Sequence, residues 1–160
     1  MDLRFTPATE QDIPLIVSLA QKIWRAHYPS IISSEQIEYM LASRYSEDVI
    51  SKNMKQGERY FVAYLNSEPV AYAAFEEREA DNFLGKFYVD VSIHGKGIGK
   101  QFFNFLLTQS NTAKPFRLQV NRQNFKAVNF YFKVGFVIES VGDFDIGNGY
   151  FMNDFVMARA

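Results

Sequence analysis

The chain contains no cysteine, which removes disulfides, thiolate metal sites and cysteine nucleophiles together. It has only two histidines, His27 and His94, far apart and outside any H-E-x-x-H pattern. No metal is therefore expected as a cofactor. Charge of either sign is not in excess: 17 basic and 18 acidic residues leave a formal net charge of -1. A chain so balanced lacks the overall basic field that nucleic acid or an anionic membrane surface attracts, so neither is expected as a partner. Long hydrophobic runs are also missing, and none approaches the roughly 18 apolar residues of a membrane-spanning helix. The first residues, Met1-Asp2-Leu3-Arg4-Phe5-Thr6-Pro7, lack the basic start and unbroken apolar stretch of a secretory leader. The expected location is the cytoplasm.

What is present is core material. With 48% apolar residues in 160 positions, one substantial core can form, and the expectation is one domain over residues 1–160. After a short alternating segment, Leu3 to Thr6, the run Thr9-Glu10-Gln11-Asp12 carries a cap residue and first-turn acids. Ile13, Ile16, Val17, Ala20, Ile23 and Trp24 then recur at helical spacing, and the helix is expected to end near His27 to Pro29. Ser33 or Ser34 and Ser46 open two further short helices. Tyr60 to Leu65, Val70 to Glu76 and Phe83 to Val91 are β-branched and aromatic segments separated by turn residues, which predicts three antiparallel strands in succession. Phe102, Phe103, Leu106 and Leu107 mark a helix, Phe116 to Val120 a strand, and Asn124 to Lys133 a helix stopped by Gly135. Phe136 to Ser140 and Tyr150 to Met157 close the chain as strands, with Gly142, Gly147 and Gly149 assigned to their connection. This order is mixed α/β.

Between the third strand and the following helix lies His94-Gly95-Lys96-Gly97-Ile98-Gly99-Lys100. Backbone amides can converge on an anion at such a strand-to-helix turn. A P-loop needs glycine where His94 stands and serine or threonine where Gln101 stands. A dinucleotide fingerprint needs glycine or alanine at Lys100 or at Phe102, depending on the frame. Both readings fail on spacing. A glycine-rich loop without a ligand remains open on the turn alone.

One helix later comes Asn124-Phe125-Lys126-Ala127-Val128-Asn129-Phe130-Tyr131, followed by Gly135-Phe136. Together the two segments resemble the GNAT superfamily of N-acetyltransferases, in which Arg/Gln-x-x-Gly-x-Gly/Ala precedes an asparagine, Ala-x-x-Phe-Tyr and a final Gly-Phe. Gly97 and Gly99 occupy the two glycine positions, and Asn124, Ala127, Phe130, Tyr131, Gly135 and Phe136 occupy the second segment. His94 stands where arginine or glutamine is usual, and Gln119 where some relatives carry a glutamate base.

The resemblance implies a mixed central sheet of six or seven strands flanked by helices, acetyl-coenzyme A as co-substrate, and transfer of its acetyl group to an amine. The acceptor is expected to be a small amine, a polyamine or a protein amine. It implies that Gly95, Lys96, Gly97, Ile98, Gly99 and Lys100 hold the pyrophosphate, that Phe87, Tyr88 and Val89 accompany the pantetheine arm, and that Asn124 also contacts coenzyme A. Tyr131 is then the group that protonates, or donates a hydrogen bond to, the departing sulfur. In the absence of a cysteine or a serine-histidine-acid set, the amine attacks the thioester directly in a ternary complex. Glu76, Glu77 and Asp90 are candidates to take its proton, and none is singled out. Trp24, His27 and Tyr28 are expected to line the acceptor side, with Trp24 and Tyr28 forming one wall. The acidic run Glu76, Glu77, Glu79 and Asp81 is compatible with a cationic acceptor or with a solvated turn. A homodimer is a common state for small enzymes. A binding module that senses acyl-coenzyme A without turnover is the competing reading, as is a nucleotide enzyme with an altered phosphate loop.

Overall fold

The structure, a computed structural model, describes residues 2–160. Seven strands form one sheet in the order β1-β2-β3-β4-β5-β7-β6: β1 (Leu3–Pro7), β2 (Arg59–Leu65), β3 (Glu68–Glu77), β4 (Asn82–Val89), β5 (Phe116–Asn121), β6 (Val137–Gly147) and β7 (Tyr150–Arg159). The five α-helices are α1 (Ile13–His27), α2 (Ser34–Arg44), α3 (Glu47–Lys55), α4 (Ile98–Gln109) and α5 (Phe125–Lys133). Among the described residues, no helix is long and apolar enough to cross a membrane.

Local chemistry starts the helices. Thr9 and Asp12 form a reciprocal capping box ahead of α1, and the Ser33 and Ser46 hydroxyls accept from Gln36 and Val49 amides at the starts of α2 and α3. One face of the sheet packs on α1 to α3 around Ile16, Ile23, Trp24, Met40, Ile50 and Tyr72. The other packs on α4 and α5 around Phe61, Phe75, Phe102, Phe103, Leu106 and Phe136. Alternation along the strands feeds both cores: Tyr60, Val62, Tyr72 and Ala74 go to the first, Phe61, Ala63, Ala73 and Phe75 to the second.

Several strand ends differ from the sequence expectation, and two of the differences have a clear local cause. β4 ends at Val89, because Asp90 turns the chain by accepting the Ser92 amide and opening a short 3₁₀ turn at Val91–Ile93. β6 runs on to Gly147, since its pairing with β7 continues past Gly142 to Gly147↔Tyr150. The reversal itself takes only Asn148 (φ 54°) and Gly149 (φ 79°), the left-handed pair of a two-residue hairpin turn.

Two irregularities in β4 place the site. Its register with β3 shifts between Ala74↔Lys86 and Phe75↔Leu84, so Gly85 is the extra residue of a bulge. On its other edge β4 is parallel to β5 only at Asn82↔Phe116 and Phe83↔Arg117. Beyond these pairs the two strands part, and the sheet opens as a fork.

Candidate active site

The fork holds a cleft of about 470 Å³. Phe87, Tyr88 and Val89 form one wall, and Asn124 and Tyr131, the N-cap of α5 and a residue within it, form the other. Gly95, Gly97, Ile98, Gly99 and Lys100 make the rim, and His27 and Tyr28 enter from the C-terminal end of α1. Twelve of the fourteen positions singled out from the sequence therefore stand around one cavity. Lys96 is exposed outside the lining.

Trp24 corrects an expectation. It is only 1% exposed and lies behind Tyr28, with the two rings stacked at 4.1 Å between centroids. Trp24 lies in α1 and Tyr28 directly follows it, but Trp24 points into the core with Tyr45 and Tyr88 against it. It backs Tyr28 from the core and does not itself line the cleft.

The rim has the geometry of an anion cradle. Gly97 caps α4 at φ 75° and offers no side-chain acceptor, so the first-turn amides of α4 have no partner from a capping side chain. Gly95, at φ 85°, is also left-handed, and a Cβ placed there meets nothing within 4 Å. Backbone conformation thus demands glycine while the space above stays open. Gly99 is under a different constraint, because a Cβ there would lie 3.1 Å from the Phe130 ring. Lys100 adds a cation at the edge. His94 does not face outward with Nε2, which donates to the Val89 carbonyl at 2.9 Å. Among the described residues, no group of three or more His, Cys, Asp or Glu side chains gathers as a metal site would require.

Across the cleft, Asn124 joins two elements. Its Oδ1 accepts the Ala127 amide at 3.4 Å and lies 3.0 Å from His27 Nε2. An oxygen that takes a backbone N–H is the carbonyl of the amide, so His27 Nε2 carries the proton and donates. Burial lowers the His27 pKa below its ordinary value against the opposing effect of the Asn124 hydrogen bond. The ring is therefore neutral at pH 7. Tyr131 is buried among Phe87, Phe130 and Phe136. Burial, with a smaller contribution from Tyr88, pushes its pKa up, which keeps the phenol protonated.

Of the three carboxylates considered as proton acceptors, Asp90 and Glu77 are held by lysines and Glu76 lies outside the cleft lining. Asp90 holds Lys22 at 2.9 Å; burial would raise it, but Lys22 and Ser92 outweigh that and keep it below the usual carboxylate range. Glu77 is bonded to Lys114 at 3.1 Å, and Asp81 to Arg78 and Arg117. Glu76 pairs opposite Phe83, before the fork opens. Within the acidic run Glu77 and Asp81 are tied up in ion pairs, and none of its four residues lines the cleft. Sequence reasoning passed over Gly85, Asn121 and Met152, all in the lining. A glycine inside an otherwise regular strand was the available signal for the first.

A family model described as an acetyltransferase (GNAT) domain matches residues 30–147. Among curated proteins, spermidine N(1)-acetyltransferase of Thermoplasma acidophilum is 23% identical over 155 residues, covering 91% of this chain and 94% of that protein. Peptidyl-lysine N-acetyltransferase YjaB of Salmonella typhimurium is 28% identical over 99 residues, covering 62% of this chain and 63% of that protein. A crystal structure of PaiA N-acetyltransferase from T. acidophilum in complex with coenzyme A superposes with a TM-score of 0.81 over 99% of both chains at 22% identity, a likeness of fold. Because the family match takes in the meander, the forked strands and the glycine rim together, the chain belongs to the GNAT family of acetyltransferases.

Proposed function

We propose that this N-acetyltransferase passes the acetyl group of acetyl-coenzyme A directly to a primary amine in a ternary complex, the amine being a small amine or polyamine. The observation that carries this reading is the fork between β4 and β5, with an amide cradle at its rim and Tyr131 on its wall.

Each part of the co-substrate meets fitting chemistry. Pyrophosphate suits the free amides of Ile98, Gly99 and Lys100, where the helix dipole also favours negative charge. The pantetheine arm carries amides that can pair with the edge of β4 from Phe87 to Val89, which β5 leaves free. Asn124 and Ala127 face the same space from α5. On this reading the thioester end of the arm points toward Tyr131.

The reaction needs a deprotonated nitrogen, because alkylamines with pKa near 10.4 are cations at neutral pH. It also needs help for the departing sulfur. Tyr131 supplies the latter, and the upward shift of its pKa favours a hydrogen bond donated to sulfur over complete proton transfer. His27 and Tyr28 contact the acceptor from α1, where Tyr28 Oη also lies 3.5 Å from Tyr88 Oη. The spermidine and peptidyl-lysine enzymes among the relatives both act on amines, as their names state, which supports a primary amine here.

The test is thiol release from acetyl-coenzyme A against a panel of polyamines, monoamines and lysine peptides. Turnover with at least one amine is expected; tight coenzyme A binding with no turnover on any would leave the sensor reading in its place.

A further inference from the structure

The three buried aspartates of the chain are not equivalent. Asp81 is held by two arginines and Asp90 by Lys22 and Ser92. Asp154, on β7, is 2% exposed, and its Oδ1 is buried without a hydrogen-bond partner among the described residues. A buried carboxylate without a partner is costly and rare in a folded chain.

Its position explains what the missing partner can be. Asp154 stands directly opposite Asn121 in the β5–β7 register, and opposed residues share a face of the sheet. Asn121 lines the cleft, as does Met152, two residues earlier on β7 and on the same face. From across the fork, Tyr88 feels the negative charge of Asp154. Asp154 thus sits beneath the floor on the α1–α2 side, where His27 and Tyr28 also enter the cavity. The charged groups facing it are Arg44 at the end of α2 and Arg122 after β5. Arg122 spends its guanidinium on Asp143 and on the Gly142 and Asp154 carbonyls. Burial dominates both arginines and raises the Asp154 pKa to about 6.

We propose that Asp154 is the acceptor-side carboxylate of the active site, receiving the cationic nitrogen of a primary alkylamine and taking its proton before attack. The assignment rests on the N-acetyltransferase reading above. One proton passes from the ammonium to Asp154, and the freed lone pair forms the C–N bond to the thioester carbonyl carbon. The C–S bond breaks with its electron pair on sulfur. The second N–H proton goes to that sulfur, giving the thiol with Tyr131 hydrogen-bonded to it, and Asp154 returns its proton to solvent. Burial serves this role, since a carboxylate raised toward 6 is a stronger base and is still ionised at pH 7. The same burial predicts a preference for cationic amines, because an ammonium supplies the partner that the fold withholds.

The experiment compares the full chain with Asp154→Asn and Asp154→Leu, using spermidine and 1,4-diaminobutane as acceptors. Expected are a kcat/KM lower by roughly 10²- to 10⁴-fold, an unchanged thermal shift with coenzyme A, and a melting temperature equal to or above that of the parent. In the parent, kcat/KM falls as pH drops through about 6, where the carboxylate takes up its proton, and this acid limb is absent from the Asn variant. An active parent with an equally active Asn variant, its acid limb intact, overturns the role of Asp154 and leaves the transferase reading standing. Loss of the folded state in both variants also overturns it, by making Asp154 a structural group. A parent that acetylates no amine overturns the transferase reading itself.

Discussion

Replacing Tyr131 by phenylalanine separates chemistry from packing at the residue on which the proposed mechanism leans most. The ring sits 5.5 Å from Phe130, 5.5 Å from Phe136 and 6.4 Å from Phe87, centroid to centroid, all edge-on. Phenylalanine keeps these contacts and deletes one hydroxyl, so the melting temperature should hold within about 2 °C, as for a change well under 1 kcal/mol. Turnover should fall by roughly ten- to a thousand-fold, the scale of losing one donor to developing charge. Tyr131→Ala removes the ring itself at about 3–5 kcal/mol, which for a chain of this size corresponds to a loss of roughly 6–20 °C. Thiol release at saturating spermidine and saturating acetyl-coenzyme A, read beside thermal melts, distinguishes the two effects. Coenzyme A affinity should be little changed in the phenylalanine variant. A variant as active and as stable as the parent would refute a hydrogen bond from Tyr131 to the leaving sulfur.

Coenzyme A and acetyl-coenzyme A at about 100 times Kd should each stabilise the fold by about 2.7 kcal/mol, while NAD and ATP at equal concentration shift the melt far less; equal shifts would speak against the cradle assignment. Gly97→Val puts a β-branched residue at φ 75° over the rim, and Gly99→Val drives a side chain into the Phe130 ring. Both should weaken coenzyme A binding in calorimetry and lower the melting temperature, the first through backbone strain at a left-handed position and the second through overpacking. Glu58→Gln leaves the Lys86 ammonium, now 3.1 Å from Glu58 and only 10% exposed, without its counter-charge. The cost should be about 3–5 kcal/mol in denaturant melts, and Glu58→Gln with Lys86→Met together should recover most of it. His27 is the pH-sensitive element on α1: its folded-state pKa lies below the unfolded 6.5, so the unfolded chain binds protons more readily as pH falls. The His27 contribution to stability should therefore decline as pH drops through 6.5, against the opposite contribution of Asp154 with its raised pKa, and the difference between parent and His27→Gln urea midpoints taken from pH 8 to 5 isolates it.

Some of this protein could be read from its residues in order, because the physics is local. A left-handed backbone needs glycine wherever it occurs, so Gly95 and Gly97 announce a tight strand-to-helix turn without any partner in space. Capping by Thr9, Ser33 and Ser46, the period-2 pattern of β2 and β3, and the shared helix face of Asn124, Ala127 and Tyr131 are equally short-range. Together with the family resemblance, these features pointed to twelve of the residues that line the cleft. Other features depend on which segment meets which. Trp24 near the end of α1 and Tyr28 just after it are four residues apart and both buried, yet only Tyr28 lines the cleft, because Trp24 packs inward against Tyr45 and Tyr88. Glu77 and Asp81 resemble free acids until Lys114 and Arg117, on distant segments, are folded onto them. The fork exists because β4 and β5 share only two register pairs before a bulged strand turns away, and no residue encodes that divergence alone. Asp154 is the extreme case. In sequence it is one acid in a strand, and only the pairing of β7 with β5 puts it, buried and unpartnered, opposite Asn121 of the cleft lining. Local conformation follows from each residue's own backbone preferences, whereas burial and charge environment are set by neighbours that only the folded chain brings together.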